Sequence, residues 1–460
     1  MIERDAPDRV PGYAWYVAIV FSLFSALSFI DRQIIAVLIR PMKAELELTD
    51  VQLSLIGGLS FVIFYAAFGL PMGRLADTLN RKWIIYGGVV IWTSATALCG
   101  LATKYTHLLI LRMGVGLGEA ALAPCAFSIL ADLFPRRRLA TGIAICSMGA
   151  SFGIGFAYLG GALVLDWANG LADASGAIRL PLLGELTAWR VVFLAVGLPG
   201  LALSVLLWTI REPVRRDSNR GAASRDSREA RAPRVREVVA YMLEHRRTIL
   251  LHNVGIGFLS LASYAGGFWD IAFFERTYGW PAAQSGVLYG VLAMFAAAGG
   301  NLLTGLFADH STSKWGWDTK MMMLLLVALA SIVFRLSYPL MPSAGWALTM
   351  VVPALFLASA PYGVGAAAVQ IMVPPRMRGQ VTAFYYLVQT LIGLSLGPTL
   401  VAVFTEQVFG ALEMIRYSLV IVGSVASIVA AALFYLALTP YQVTLTELAC
   451  MQGRLETGRR

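Results

Sequence analysis

The sequence predicts an all-α integral membrane protein, with twelve membrane-spanning helices in two pseudo-symmetric halves of six. Three observations lead there. First, 58% of the residues are hydrophobic and 14% are charged, and the mean hydropathy is +0.70. A soluble chain carries about 25% charged residues. Second, the apolar residues fall in runs of about 20, the length a helix needs to cross a bilayer. Third, one loop sequence occurs twice. GRLADTLNRKW (Gly73 to Trp83) returns as GLFADHSTSKW (Gly305 to Trp315), and Gln52 and Gly58 return in register as Gln284 and Gly290. A chain that repeats one turn at its own midpoint reads as two fused bundles, a common plan among secondary transporters. No ten-residue alternation of a membrane barrel is present.

Spans 1 to 6 lie near 12–38, 50–76, 82–102, 106–132, 138–166 and 188–210. Spans 7 to 12 lie near 247–276, 282–308, 318–338, 346–372, 379–406 and 413–438. Span 1 ends in FID (Phe29 to Asp31), which pairs with FWD (Phe268 to Asp270) in span 7. Spans 2 and 8 each run into a copy of the repeated loop, and spans 3 and 9 follow it. Span 4 reads RMGVGLGEAALAP and leaves through DLFPRRR; span 10 leaves through VPPRMRG with Pro and two Arg residues aligned. Gly114, Gly116 and Gly118 in span 4, Gly149, Gly153, Gly155, Gly160 and Gly161 in span 5, and Gly393, Gly397 and Pro398 in span 11 permit close helix packing. The domain plan is a first bundle at 1–210, a cytoplasmic linker at 211–247, a second bundle at 248–438 and a tail at 439–460. The linker is polar and rich in Arg, Ser and Ala, as a flexible or partly helical surface segment is.

The net charge of +9 follows from topology, because Lys and Arg gather in cytoplasmic loops. Arg74, Arg81, Lys82, Arg136 to Arg138, the linker, Lys314, Arg376, Arg378 and the tail arginines share one side. That side is expected to be cytoplasmic, with both termini on it. No segment resembles a nucleic-acid module. Cys99, Cys125 and Cys146 sit in apolar spans and Cys450 in the tail, without metal-site spacing. His107, His245, His252 and His310 are scattered, with no HExxH pair or Ser–His constellation, so no enzyme is expected.

The sharpest candidates are the charges inside spans. Each costs about 2.5–3.5 kcal/mol at a helix centre, and survives by facing a wet cavity or a partner. Asp31 and Arg32 lie in span 1; Arg112 and Glu119 lie in span 4. At 1.5 Å per residue Asp31 and Arg112 lie about 10 Å below the outer edge, so the two can meet. Glu119 is two turns beyond Arg112, on its face and roughly 10 Å deeper. Asp31 and Glu119 are therefore expected to take up and release protons. Arg112 switches partners or holds an anionic substrate group; a static ion pair is the plainer alternative. Arg32 projects about 100° from Asp31 and either meets a ligand or snorkels. Asp270, Glu275 and Arg276 read as a solvated helix end.

GRLADTLNRK resembles the loop signature of the major facilitator superfamily. The finer resemblance is to the spinster family of lipid transporters. It rests on DRQIIAVLI in span 1, Asn80, RMGVGLGEA leading to ADLF in span 4, and TAWRVVF leading to REP around span 6. It covers most of residues 28–213. The resemblance implies a proton-coupled transporter of sphingolipid-like or lysophospholipid amphiphiles working by alternating access. Protons would be the coupling ion and no other cofactor is implied. Asp31, Arg112 and Glu119 fall on the family's coupling positions. Arg112, Glu119, Arg32, Tyr158, Tyr264, Phe268 and Trp269 are the candidate substrate residues. Gly73, Asp77, Arg81, Lys82, Arg136 and Asp309 form the candidate cytoplasmic gate, with Asp77 capping a helix and pairing with loop arginines. The partners expected are a lipid-like substrate and the bilayer, with no nucleic acid and no need beyond a monomer, in a bacterial inner membrane. A transporter of small organic anions or a multidrug exporter of the same superfamily is the alternative.

Overall fold

A computed structural model describes residues 10–135, 138–173, 176–180, 184–213, 235–315, 319–359, 361–374 and 377–457. The described residues of the spans are predominantly helical, and twelve spans are present. Eleven of the described helices are long and apolar enough to cross a membrane, from Gly12–Leu46 through Leu412–Cys450. The twelfth, span 10, is divided. Ala344–Leu357 is followed by a π-helical turn at Pro361–Gly365 and a short helix at Ala366–Ile371.

Local chemistry sets the ends. Span 1 stops where Glu47 turns left-handed (φ 51°) and its N–H bonds back to the Lys43 carbonyl. Thr49 then opens span 2 with a capping box. Its hydroxyl accepts from the Gln52 N–H at 3.0 Å, and the Gln52 side chain accepts from the Thr49 N–H at 3.0 Å. The repeated Gln52 thus has a local role at a helix start. Asn80 caps span 3, its side chain accepting from the Trp83 N–H. A hairpin of β1 (Ile178–Leu180) and β2 (Gly184–Leu186) joins spans 5 and 6. Within the linker, Val235–Glu244 is helical.

Contacts divide the chain into two compact units. One comprises Met1–Arg228 with Pro281–Met294, the other Glu229–Trp280 with Phe295–Arg460. The start of span 8 therefore clusters with the first unit, a division that the repeat alone does not reveal.

In the first unit, polar clamps fasten the helices near their ends. On one side Glu45, at the end of span 1, collects the TAWR motif of span 6. It accepts from the Thr187 hydroxyl (2.5 Å), the Trp189 indole (2.5 Å) and Arg190 (2.7 and 2.9 Å). On the other side Arg81, at the start of span 3, collects the REP and ADLF motifs. It donates to Glu212 (2.6 Å), Asp132 (2.5 Å), Ser128 (2.8 Å) and the Pro213 carbonyl (3.1 Å). Spans 1 and 5 pack backbone to backbone between these clamps. A Cβ on Gly149 would lie 2.0 Å from the Ser22 carbonyl oxygen. In the second unit Ile249, Ile256, Leu324, Val369, Val381 and Phe434 are buried in one apolar cluster.

Gly149→Ala is expected to lower the apparent unfolding temperature in detergent, because overpacking costs about 1–3 kcal/mol. Gly160→Ala in the same helix meets nothing within 4 Å. It should leave stability unchanged or raise it, since Ala is the better helix former by about 1 kcal/mol. Thermal unfolding of both variants beside the wild type checks the pair.

Candidate functional site

Spans 1 and 4 of the first unit each carry one acid and one base, and the structure pairs them across the helices. Arg112 donates through Nη1 to Asp31 Oδ1 at 2.9 Å and to the Asp31 carbonyl at 3.3 Å. Arg32 donates to Glu119 Oε2 through Nε (2.7 Å) and Nη2 (2.6 Å). Asp31, Arg112 and Glu119 are 0–2% exposed. Asp31 and Arg112 thus meet as their depths in the sequence imply. The Arg32–Glu119 pair is new, and it corrects the snorkelling reading. Arg32 turns inward because Glu119 offers it an anion and three rings offer their faces. Its Cζ lies 5.0, 4.7 and 4.9 Å from the centroids of Phe29, Phe61 and Tyr65.

Side chains that the sequence left unmarked complete the site. The Thr96 hydroxyl in span 3 donates to Asp31 Oδ2, and Ser28 donates to Glu119 Oε2 at 2.6 Å. Both are small hydroxyls in apolar spans, a pattern too common to single out. Two glycines let the helices close on the charges. A Cβ on Gly116 would lie 2.3 Å from the Phe61 carbonyl, and one on Gly118 would lie 2.5 Å from the Gly88 carbonyl. Spans 2 and 3 therefore rest backbone to backbone on span 4 between Arg112 and Glu119.

The polar accounting is incomplete at two places. Arg112 Nε and Nη2 and Glu119 Oε1 are buried and have no hydrogen-bond partner among the described residues. A guanidinium carries five N–H donors, and here those on Nε and Nη2 remain unmatched. An uncommitted cation edge and an uncommitted carboxylate oxygen in one buried cluster can receive an anionic group and a proton.

The other candidates lie elsewhere. Tyr158 is buried in the first unit, its ring edge-on to Tyr289 at 4.9 Å. Tyr264, Phe268 and Trp269 belong to the second unit. Trp269 is fully buried and donates its indole N–H to the Pro398 carbonyl at 2.8 Å; Phe268 packs edge-on against it. Of the gate residues, Arg81 and Lys82 hold parts of the first unit, Lys82 Nζ donating to the Trp208 carbonyl at 2.9 Å. Gly73 is half-buried within Ser60–Thr78. Asp77 and Asp309 lie in helices, and their side chains, like all of Arg136, fall outside the described residues.

Asp270 is not part of a solvated helix end. It is 0% exposed and accepts from the Tyr338 hydroxyl at 2.8 Å. Arg335, 4% exposed, stands beside it: a Cβ on Gly266 would lie 2.5 Å from Arg335 Nη1 and 3.1 Å from Asp270 Oδ2. The repeat of FID as FWD was the signal for a second buried carboxylate, and Arg335 inside an apolar run was the signal for its neighbour.

The Major Facilitator Superfamily profile matches residues 21–398. The chain belongs to the Major Facilitator Superfamily. It is therefore an integral membrane transporter, in a family whose members are not enzymes. It is 27% identical over 97% of its length to an MFS-type efflux pump of Mycolicibacterium smegmatis, of which it covers 98%. Spinster homolog 1 of Xenopus tropicalis is 30% identical over 42% of the chain, which spans 37% of that relative. Among solved structures, a bacterial homolog of the human lysosomal transporter spinster, inward-facing and unoccupied, superposes with TM-score 0.80. That match is at 27% identity over 94% of this chain and 98% of the other.

Removing one member of the Asp31–Arg112 pair should have unequal costs. Asp31→Asn leaves a buried guanidinium that cannot shed its proton, and should cost about 3–5 kcal/mol. Arg112→Gln leaves a carboxylate that can take up a proton, and should cost less. The double variant should lose less than the sum of the two. Thermal unfolding of the four proteins tests the cycle.

Proposed function

We propose that this transporter is a proton-coupled secondary carrier of amphipathic lipids, sphingolipid-like or lysophospholipid, working by alternating access. One observation carries the reading: four charges inside spans 1 and 4, with Asp31, Arg112 and Glu119 buried and Arg32 partly so, pair as two acids and two bases, yet leave Arg112 Nε and Nη2 and Glu119 Oε1 uncommitted. Asp31 and Glu119 take up and release protons. The free edge of Arg112 receives a phosphate or carboxylate of the head group. A proton on Glu119 removes the charge that holds Arg32, so binding and protonation bear on the same ion pairs.

The likeness to spinster proteins favours a lipid. The likeness to an efflux pump along nearly the whole chain favours, as a second reading, export of small organic or drug-like molecules. In both readings Tyr158, Tyr264, Phe268 and Trp269 are candidate contacts for an apolar substrate. Gly73, Asp77, Arg81, Lys82, Arg136 and Asp309 then act at the cytoplasmic gate. The same reading makes it a monomer in a bacterial inner membrane with both termini in the cytoplasm.

The test is uptake of fluorescent lysophospholipid and sphingosine-like probes into proteoliposomes under an imposed pH gradient. Wild-type protein should show gradient-dependent flux, and Glu119→Gln should fall to the level of protein-free vesicles. Saturable, gradient-driven flux of a small organic anion without lipid flux would transfer the function to the second reading.

A further inference from the structure

Phe61 stands between the two guanidinium groups. Its ring centroid lies 4.7 Å from Arg32 Cζ and 5.8 Å from Arg112 Cζ, and the residue is 0% exposed. The position is held by backbone. Gly116, four residues after Arg112 and three before Glu119, is the point where the Phe61 carbonyl rests on span 4; a Cβ there would also lie 3.2 Å from the Tyr65 N–H nitrogen. A π-helical turn at Leu55–Leu59, just before Phe61, resets the rotation of span 2. Tyr65, one turn on, stacks on Phe61 at 5.4 Å and 21°.

We propose that Phe61 is a positioning residue that keeps the two ion pairs separate, holding Arg32 in an aromatic box while its partner Glu119 exchanges a proton. Its part in transport rests on the proton-coupled reading above. Arg32 meets three ring faces and one carboxylate oxygen. When Glu119 is neutralised, the rings still compensate the cation, so Arg32 is not driven onto Asp31, its neighbour in sequence. Asp31 stays with Arg112. Without the Phe61 ring Arg32 loses the nearest of its three aromatic faces, so neutralising Glu119 costs more and a higher proton concentration is needed to protonate the cluster. The charged and titratable groups against the ring are Arg32 from span 1, Tyr65 from span 2 and Arg112 from span 4; their own partners are Asp31 from span 1 and Glu119 from span 4, with Cys99 from span 3 within electrostatic reach of Asp31 and Arg112.

The test compares Phe61→Leu and Phe61→Tyr with wild type, with Glu119→Gln to assign the signal. The carboxylic-acid stretch of purified protein is titrated by infrared difference spectroscopy, alongside the pH profile of flux. Phe61→Leu should need roughly threefold to tenfold more protons for half-protonation, the equivalent of one lost cation–π contact. Phe61→Tyr should titrate like wild type. If Phe61→Leu does not fold, Phe61→Met, an adaptable core residue, carries the same expectation. A folded Leu or Met variant with a wild-type titration, or a Tyr variant displaced as far as Leu, overturns the proposal. A shifted infrared titration in a protein without gradient-driven flux would uphold the positioning role and remove the transport reading instead.

Discussion

Everything at the site follows from the cost of charge in an apolar medium. Asp31, Arg112 and Glu119 are buried and Arg32 is mostly so, in spans that the bilayer surrounds, and each must meet an opposite charge or a substitute for one. The two pairs cross from span 1 to span 4, and therefore determine which faces of those helices meet. The glycines at 116 and 118 follow as a requirement, since the neighbouring backbones must approach span 4 closely for Phe61 and Thr96 to reach the charges. The aromatic faces around Arg32 serve the same end by another means. They give a cation partial compensation without a formal negative charge.

The clamps near the helix ends work on a different principle. Glu45 and Arg81 are each multidentate: Glu45 gathers three residues of TAWR, and Arg81 joins ADLF to REP. Placed near the ends, and each matched by several hydrogen bonds, they fix which spans are neighbours. Among the described residues, charge in the first unit is thus divided between fixed joints toward the ends and an incompletely bonded cluster within.

Much of this was legible in the sequence. Twelve apolar runs and a repeated loop are low-resolution signals, and helix number and order depend only on them. The Asp31–Arg112 pair was legible because depth along a helix is arithmetic. Arg32–Glu119 was not, because it depends on how spans 1 and 4 are rotated against each other, which spacing along either helix does not determine. Asp270 was misread for a similar reason: its distance from the helix end suggested water, whereas Tyr338 and Arg335 close over it from span 9. The roles of TAWR, REP and ADLF were hidden as well. Each motif finds its partner in another span, and only the folded chain joins them.

The four charges sum to zero, and this has an electrical consequence. On a set of charges that moves as one unit a membrane potential does work only through their net charge, about 2.3 kcal/mol per elementary charge for each 100 mV crossed. Two acids and two bases fixed in one cluster present no net charge to that field. A single added proton gives the cluster one positive charge, and the field then acts on any displacement of it. The arrangement makes the proton-free set electrically silent, so voltage dependence arising within the cluster is confined to its proton-loaded form.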